Sequence, residues 1–325
     1  HHREGIMQRK VPAGLIAVML LTSVATAFAQ PFPVKTVRIV IPFPVGGPSD
    51  ANARIIGQHL TERWGQQVIV DARPGGNTVI GTDLVAKSAP DGHTMLVTST
   101  AYSAAPIIQA KLPYDPYTDL TPVTIVSISA QALVAHPSLP VKNVRDLIAL
   151  AKAKPGSLNL ANVDPSTMMA GYLFCMLASV KIESVPYKGA APMMVDLMGG
   201  HVTLGIAAVS SIQSAARSGR VHILGVGSQT PSAMFPDAPV ISKDLPGFEA
   251  VAWFGLFVPG KTPKEIVARI YQDVTAILQL PDAKQRLADI GSEPGGQSPE
   301  EFGARIRSEI ERWQKVAKAA GIKPQ

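Results

Sequence analysis

The stretch that decides the fold is Val37-Arg38-Ile39-Val40-Ile41-Pro42-Phe43-Pro44-Val45-Gly46-Gly47-Pro48-Ser49-Asp50. Its first five residues are a β-branched run, which predicts a strand. The prolines and glycines that follow end the strand, and Ser49 or Asp50 is expected to cap a helix. The apolar positions of that helix include Ile55, Ile56, Leu60 and Trp64. A strand that passes through a glycine-bearing loop into a helix is the building unit of an α/β fold.

The same alternation continues along the chain and restarts after Pro122. Short apolar runs predict further strands at 68–70, 95–97, 132–135, 159–161, 202–206 and 221–226, with an extended segment at 185–187 and helices between them. We therefore expect a parallel, doubly wound sheet in each of two α/β units of similar size. The two units do not repeat in sequence.

Two helices are predicted near the C-terminus. Thr262-Pro263-Lys264-Glu265 and Ser298-Pro299-Glu300-Glu301 both have the spacing of a capping box with proline at the first helical position. Apolar residues follow each start at helical spacing, and after the second they are Phe302, Ile306, Ile310, Trp313 and Val316. We interpret both as structural helices that pack on a sheet.

The N-terminus has the three parts of a secretory signal peptide. Arg9 and Lys10 precede the apolar run 14–21, and Ala27-Phe28-Ala29 ends it with small residues at the positions that a signal peptidase recognises. We expect residues 1–29 to be a leader and signal peptide cleaved after Ala29, and an uncleaved membrane anchor is the alternative. A chain of 325 residues is long enough for about two domains.

Several classes of protein are disfavoured by composition. The single cysteine, Cys175, excludes an internal disulfide, and its helical spacing among apolar residues is typical of core packing. The histidines show no metal-ligand spacing, and the chain lacks a nucleophile elbow and a dinucleotide fingerprint. The net charge of +6 comes without a basic run carrying interleaved aromatics, which disfavours nucleic acid as a partner. We expect no catalytic residues, no metal and no cofactor.

The loop from Pro42 to Asp50 has two interpretations from its residues alone. Its glycines let the backbone approach a ligand closely, and the next helix offers free N–H groups and a positive dipole end, which suit a carboxylate or phosphate. It lacks the lysine and the spacing of a phosphate loop. An ordinary strand-to-helix turn is the alternative.

The opening stretch resembles the first strand and loop of Bug-type extracytoplasmic solute receptors, the binding components of tripartite tricarboxylate transporters. Further segments resemble later signatures of that family in the same order. These are Arg73-Pro74-Gly75, Ala89-Pro90-Asp91-Gly92-His93-Thr94, Val185-Pro186-Tyr187-Lys188-Gly189, Phe235-Pro236-Asp237-Ala238-Pro239 and Trp253-Phe254-Gly255-Leu256-Phe257. The resemblance covers essentially all of residues 31–325.

The resemblance implies two Rossmann-like lobes joined by a hinge, with a ligand cleft between them as in periplasmic binding proteins. Residues 31–130 and 251–325 would form lobe 1, and residues 131–250 lobe 2. It implies a periplasmic, monomeric protein that captures a small di- or tricarboxylate or aromatic acid and hands it to membrane permease subunits. A receptor that presents its ligand to a membrane-bound sensor kinase is the alternative, and an exported hydrolase is a second one.

Carried over residue by residue, the resemblance assigns a ligand-binding set in both lobes. In lobe 1 these residues are Phe43, Gly46, Gly47, Pro48, Ser49, Asp50, Asn77, Thr78, Thr100 and Ala101. In lobe 2 they are Asn162, Ser166, Thr167, Ala207 and Ala208. Ser166 and Thr167 begin a helix, so they present hydroxyl and N–H groups to the ligand or serve only as helix caps.

The sequence departs from the family pattern at several of these positions. Asn77 and Thr78 stand where small residues and glycines are usual, and Ala207 stands where an acidic residue or asparagine is frequent. With Met168 nearby, a smaller and less polar strand end suits an apolar or aromatic acid. Asp164 would repel a carboxylate. We expect it to point to solvent, or else the ligand carries an amino or other donor group.

Overall fold

The computed structural model describes residues 32–324, so the predicted signal peptide lies outside the described residues. The strands are Val37–Ile41 (β1), Val68–Ala72 (β2), Thr94–Ser99 (β3), Leu120–Ala135 (β4), Asn159–Asn162 (β5), Glu183–Pro186 (β6), Leu204–Ala208 (β7), His222–Val226 (β8), Val251–Pro259 (β9) and Glu293–Pro294 (β10). The helices are Pro48–Trp64 (α1), Val79–Ala86 (α2), Ala101–Ile108 (α3), Val144–Ala153 (α4), Pro165–Ala178 (α5), Ala190–Gly199 (α6), Val209–Arg217 (α7), Lys264–Leu278 (α8), Pro281–Asp289 (α9) and Pro299–Ala320 (α10).

The strands are arranged in the order β2-β1-β3-β9-β4-β7-β5-β6, with β8 and β10 also paired to β4. Strand β1 pairs parallel with β2 and β3, and β5 pairs parallel with β6 and β7. Strands β4 and β9 run antiparallel to their neighbours. The expectation of purely parallel sheets was therefore wrong, because two long strands from distant parts of the chain join the parallel groups.

Strand β4 is shared between two groups of strands. Its residues Leu120–Ala130 pair with β9, whereas Gln131–Ala135 pair with β7 and β8. The chain crosses a second time near Ala250, which accepts a hydrogen bond from the Gln131 N–H at 3.1 Å. We keep the names lobe 1 and lobe 2 for the two groups of strands, following the division expected from the sequence. Strand β4 connects the two groups.

Buried apolar residues form three clusters that fit this division. One packs α1 and α8 on one face of the lobe 1 strands, and a second packs α6 and α7 on one face of the lobe 2 strands. The third extends across both lobes, because α3 and α10 contact α5. The lobes therefore pack against each other directly as well as through the crossing strands.

Helix α10 packs the C-terminal part of the chain against the core. Ser298 and Glu301 form the predicted capping box, which is confirmed. The predicted apolar face is buried, and Phe302 meets Trp253 edge-on with ring centroids 5.0 Å apart. The other predicted capping box was wrong: α8 begins at Lys264 without a side-chain cap, and the Thr262 hydroxyl donates to the Pro259 carbonyl instead.

In the part of the chain that the structure describes, no helix has both the length and the apolar character needed to cross a membrane.

Candidate ligand-binding site

The glycine-bearing loop after β1 is held in shape by Asp50. Its Oδ2 accepts a hydrogen bond from the Gly46 N–H at 2.9 Å, and Gly46 has a positive φ of 83°. Burial alone would raise the pKa of Asp50, but Arg54, at 3.0 Å from Oδ1, and the Gly46 N–H together hold that pKa below its ordinary value. The Asp50 carboxylate therefore makes its hydrogen bond within the loop and positions the loop backbone.

A second contact fixes the start of α1 against β4. Asn52 is fully buried, and its Nδ2 donates to the Pro48 carbonyl at 2.9 Å. The Ser127 hydroxyl on β4 donates to the Asn52 Oδ1 at 2.6 Å. Sequence reasoning missed both residues, and the only signal was a polar side chain on the buried face of a predicted helix. Together they set where the N-terminal end of α1 lies.

The turn after β2 has an unusual backbone. Gly75, Gly76, Asn77 and Thr78 all have positive φ, at 129°, 56°, 51° and 80°. For a β-branched residue such as Thr78 this conformation costs about 1–3 kcal/mol, and strain of this kind is concentrated at ligand and active sites. Thr78 is only 5% exposed, and its hydroxyl has no hydrogen-bond partner among residues 32–324. The turn therefore holds a buried donor group in a strained position.

Thr100 presents a similar group at the end of β3. It is 3% exposed, and its Oγ1 finds no hydrogen-bond partner in the described chain. Its backbone N–H donates to the Trp253 carbonyl at 3.2 Å, which fixes it to β9. Ala101 follows and is fully buried. The 3₁₀ turn at Gly76–Thr78 contacts α3, so the two free hydroxyls belong to neighbouring elements.

Three helices of lobe 1 begin at this same edge. Helices α1, α2 and α3 follow the parallel strands β1, β2 and β3, and none of the three has a side-chain cap. The Ala101 N–H at the start of α3 donates to the Ser99 hydroxyl at 3.2 Å. The positive ends of the three helix dipoles lie at one edge of the sheet. This arrangement suits a carboxylate or another small anion.

The corresponding edge of lobe 2 uses its polar groups differently. Asp164 caps α5, and its Oδ1 accepts from the Thr167 N–H at 2.8 Å and from the Ser166 hydroxyl at 2.7 Å. The Thr167 hydroxyl accepts from the Val163 N–H and donates to the Asp164 carbonyl. Asp164 is thus a helix cap, and its side chain is half-buried. The Thr167 hydroxyl acts as part of this helix cap, which was the alternative to ligand binding expected for it.

The remaining lobe 2 residues line the same end of the sheet. Asn162 is 5% exposed, and its amide donates to the Ser184 hydroxyl at 2.8 Å, which joins β5 to β6. Ala207 is fully buried and Ala208 is half-buried. Ala208 is the N-cap residue of α7, which also lacks a side-chain cap. This edge of lobe 2 therefore presents the small apolar side chains of Ala207 and Ala208 beside the uncapped N-terminus of α7.

Gln131 connects the two edges and was not predicted. It lies opposite Ala208 in the β4–β7 pairing, and its Nε2 donates to the Ser166 hydroxyl at 3.3 Å. Thr100 of lobe 1 and Ser166 of lobe 2 line one small cavity together with Gln131. The fold therefore brings these two predicted residues together. In lobe 1, Ser49 is buried, Phe43 and Gly47 are half-buried, and Gly46, Pro48 and Asn77 are exposed.

The described residues offer little for metal or thiol chemistry. Between residues 32 and 324, no group of three or more His, Cys, Asp or Glu side chains is arranged to hold a metal ion. Cys175 is half-buried, and burial raises the pKa of its thiol. A thiol with a raised pKa is a poor nucleophile at neutral pH.

Comparison with known proteins identifies the family of this chain. A family model described as the tripartite tricarboxylate transporter family receptor matches residues 52–322. The curated protein BugT of Bordetella pertussis is 32% identical over 319 residues, which covers 95% of this chain and 97% of BugT.

Two solved structures extend the comparison to the fold. Rpa4515 of R. palustris, solved with adipate, has a TM-score of 0.80 at 35% identity and covers 90% of this chain and 100% of its own. MatC from Rhodopseudomonas palustris, solved with bound malate, has a TM-score of 0.77 at 30% identity and covers 88% and 99%. The predicted α/β fold of the periplasmic-binding-protein type, with two lobes, is confirmed. The chain therefore belongs to the tripartite tricarboxylate transporter receptor family, whose members, the Bug proteins among them, are solute-binding proteins and not enzymes.

Proposed function

We propose that this receptor captures a small carboxylate in the cleft between its lobes and delivers it to the membrane subunits of a tripartite tricarboxylate transporter. One observation supports the binding step most directly. The hydroxyls of Thr78 and Thr100 are buried without a partner in the described chain, at the edge where three uncapped helices of lobe 1 begin. A buried hydroxyl without a partner costs free energy, so such groups need a ligand or water.

The proposed carboxylate position lies at the lobe 1 edge. There the oxygens would accept hydrogen bonds from Thr78, Thr100 and the first N–H groups of α1, near Gly47 and Ser49. Hydrogen bonds to a charged acceptor contribute about 1.5–3 kcal/mol each, so a few neutral donors are enough to hold a monoanion. Asp50 shapes this position from behind, because its own charge is balanced by Arg54.

The proposed lobe 2 contacts decide what the rest of the ligand is. Ser166, Asn162 and the strand end at Ala207 and Ala208 would face it from the other side of the cleft. Of these groups the alanines are apolar, and the Asp164 carboxylate beside Ser166 is anionic. We therefore favour an apolar or aromatic acid. A di- or tricarboxylate is the other possibility, and adipate and malate are the ligands of the two solved neighbours.

Delivery to a permease and export to the periplasm complete the proposal. The family match supports a transporter partner, and the predicted signal peptide at residues 1–29 supports export. Hinge closure around the ligand would present the closed form to the membrane subunits. Uptake of the identified ligand should stop when the gene for this chain is deleted and return when it is supplied.

A thermal-shift panel on the mature chain tests the binding step. The panel holds di- and tricarboxylates, aromatic monocarboxylates and amino acids, each in large excess. A ligand at about 100 times its Kd should stabilise the folded state by about 2.7 kcal/mol. An amide analogue of each hit is the matched control, since it keeps the shape but removes the charge. If no carboxylate raises the melting temperature, the proposal is wrong.

A further inference from the structure

A small cavity lies where lobe 1, lobe 2, the crossing strands and α10 meet. Its volume is about 10 Å³, which is room for about one water molecule. Thr100 lines it from lobe 1, Ser166 from lobe 2, Gln131 from the crossing, and Glu309, Arg312 and Trp313 from α10. The cavity is therefore bounded by residues from both lobes.

Three polar atoms of this lining are buried and have no hydrogen-bond partner within residues 32–324. They are the Thr100 Oγ1, the Arg312 Nε and the Trp313 Nε1. Thr100 and Trp313 are 3% and 4% exposed. Buried polar groups in native proteins nearly always have a partner, so their coincidence at one cavity indicates an occupant that accepts hydrogen bonds from the two N–H groups.

The other two tryptophans of the chain donate their indole N–H groups to carboxylates. The Trp64 Nε1 donates to Asp273 at 2.7 Å, and the Trp253 Nε1 donates to Glu309 at 2.9 Å. Trp313 differs from both, because no acceptor in the described chain lies within reach of its N–H. The Trp313 indole therefore lacks, within the described chain, a carboxylate oxygen of the kind that accepts from the other two indoles.

The charges around the cavity disfavour an ion as the occupant. Arg312 is 3.5 Å from Glu249, and Glu309 also lines the cavity with Arg305 at 2.9 Å from its carboxylate. The two carboxylates are thus balanced by two guanidinium groups. A neutral molecule of this size that can accept these hydrogen bonds is water.

We propose that one ordered water molecule occupies this cavity at the boundary between the lobes. It accepts hydrogen bonds from the Trp313 indole and the Arg312 Nε, and it donates to Thr100 Oγ1. All three partners belong to lobe 1, while Ser166 and Ala170 of lobe 2 close the cavity, so separation of the lobes would open it to solvent. The water is therefore enclosed only while the two lobes are in contact.

Nuclear magnetic resonance of the mature chain with ¹⁵N-labelled tryptophan tests this assignment. The Trp313 indole N–H should show a cross-relaxation peak to a long-lived water and slow exchange with solvent. Trp64 and Trp253 are internal controls, since their N–H groups have carboxylate acceptors and should show no such water. Trp313→Phe should remove the peak, with Trp64→Phe as the matched variant that keeps it.

A crystal structure of the closed wild-type protein gives a second, independent measurement. Water density should lie about 2.7–3.2 Å from both the Trp313 Nε1 and the Thr100 Oγ1. Fast exchange of the Trp313 N–H, a protected N–H without a water peak, or density for an ion or a ligand oxygen at this position would each overturn the proposal. None of these readouts depends on which carboxylate the receptor binds.

Discussion

Two buried threonines, each at the start of a helix that follows a strand, differ in what their hydroxyls do. Thr100 begins α3 in lobe 1, and its hydroxyl has no partner in the described chain. Thr167 lies in the first turn of α5 in lobe 2, and its hydroxyl is used fully in a capping box with Asp164. The two are 3% and 1% exposed, so burial does not distinguish them. A bonded hydroxyl contributes to folding, whereas a buried free one is available to a ligand.

The largest expected effect comes from removing both free hydroxyls of lobe 1. The double variant Thr78→Val, Thr100→Val keeps the shape of both side chains but loses two donors to the carboxylate. Each such bond contributes about 1.5–3 kcal/mol, so the Kd should rise about 100-fold or more. Isothermal titration calorimetry measures the Kd, and circular dichroism checks the fold. An unchanged Kd would show that these two lobe 1 hydroxyls do not bind the ligand.

Thr78→Gly separates strain from binding. Glycine adopts a φ of 80° without steric cost, so the unfolding free energy should rise by about 1 kcal/mol. Loss of the hydroxyl should weaken ligand binding about tenfold at the same time. Denaturant melts and calorimetry measure the two quantities. If stability falls, the strain assigned to this turn is wrong.

Thr167→Val should have the reverse pattern. It breaks the bonds that the hydroxyl makes with the Val163 N–H and the Asp164 carbonyl, which should lower the unfolding free energy by about 1 kcal/mol. Urea denaturation measures this loss. Thr167→Ser restores the hydroxyl and is the matched control, so it should recover most of the stability. Equal stability of the valine variant and wild type would contradict the capping role.

The smallest effect is a pH dependence that comes from Asp50. Its folded-state pKa is below its ordinary value, so ionised Asp50 stabilises the folded state above the unfolded pKa. That stability is lost as the pH falls through the folded pKa. Asp50→Asn should therefore lose less unfolding free energy than wild type between neutral pH and acid. Parallel curves for the two proteins, measured by urea denaturation, would show that Asp50 makes no such contribution.

The sequence predicted most of the local structure because local signals determine it. Strands β1 and β5 coincide with β-branched or apolar runs that lie between turn residues. Helix α4 begins after Asn143, whose side chain accepts a hydrogen bond from the Asp146 N–H as an N-cap residue does. The first part of β4 and all of β9 were not assigned. Their positions depend on long-range antiparallel pairing, and Pro122 together with several polar residues conceals the strand pattern of β4.

The candidate loop could be located from the sequence, but its detailed geometry could not. The loop at Gly46–Asp50 follows the first strand and can be located from glycines and a helix start. That Thr78 adopts a left-handed backbone, and that Gln131 joins Ser166 to the crossing strand, depends on tertiary packing that no local pattern encodes. The roles of Thr100 and Thr167 could not be distinguished from sequence either, because both follow a strand and begin a helix.

The measurement that tests the account most directly compares these two threonines in one calorimetric series. Thr100→Val and Thr167→Val are titrated with the best carboxylate from the thermal-shift panel, beside the wild-type chain. We predict that the Kd rises about tenfold or more for Thr100→Val and changes less than about twofold for Thr167→Val. Equal effects of the two substitutions, or a larger effect at Thr167, would contradict the assignment of the carboxylate to lobe 1.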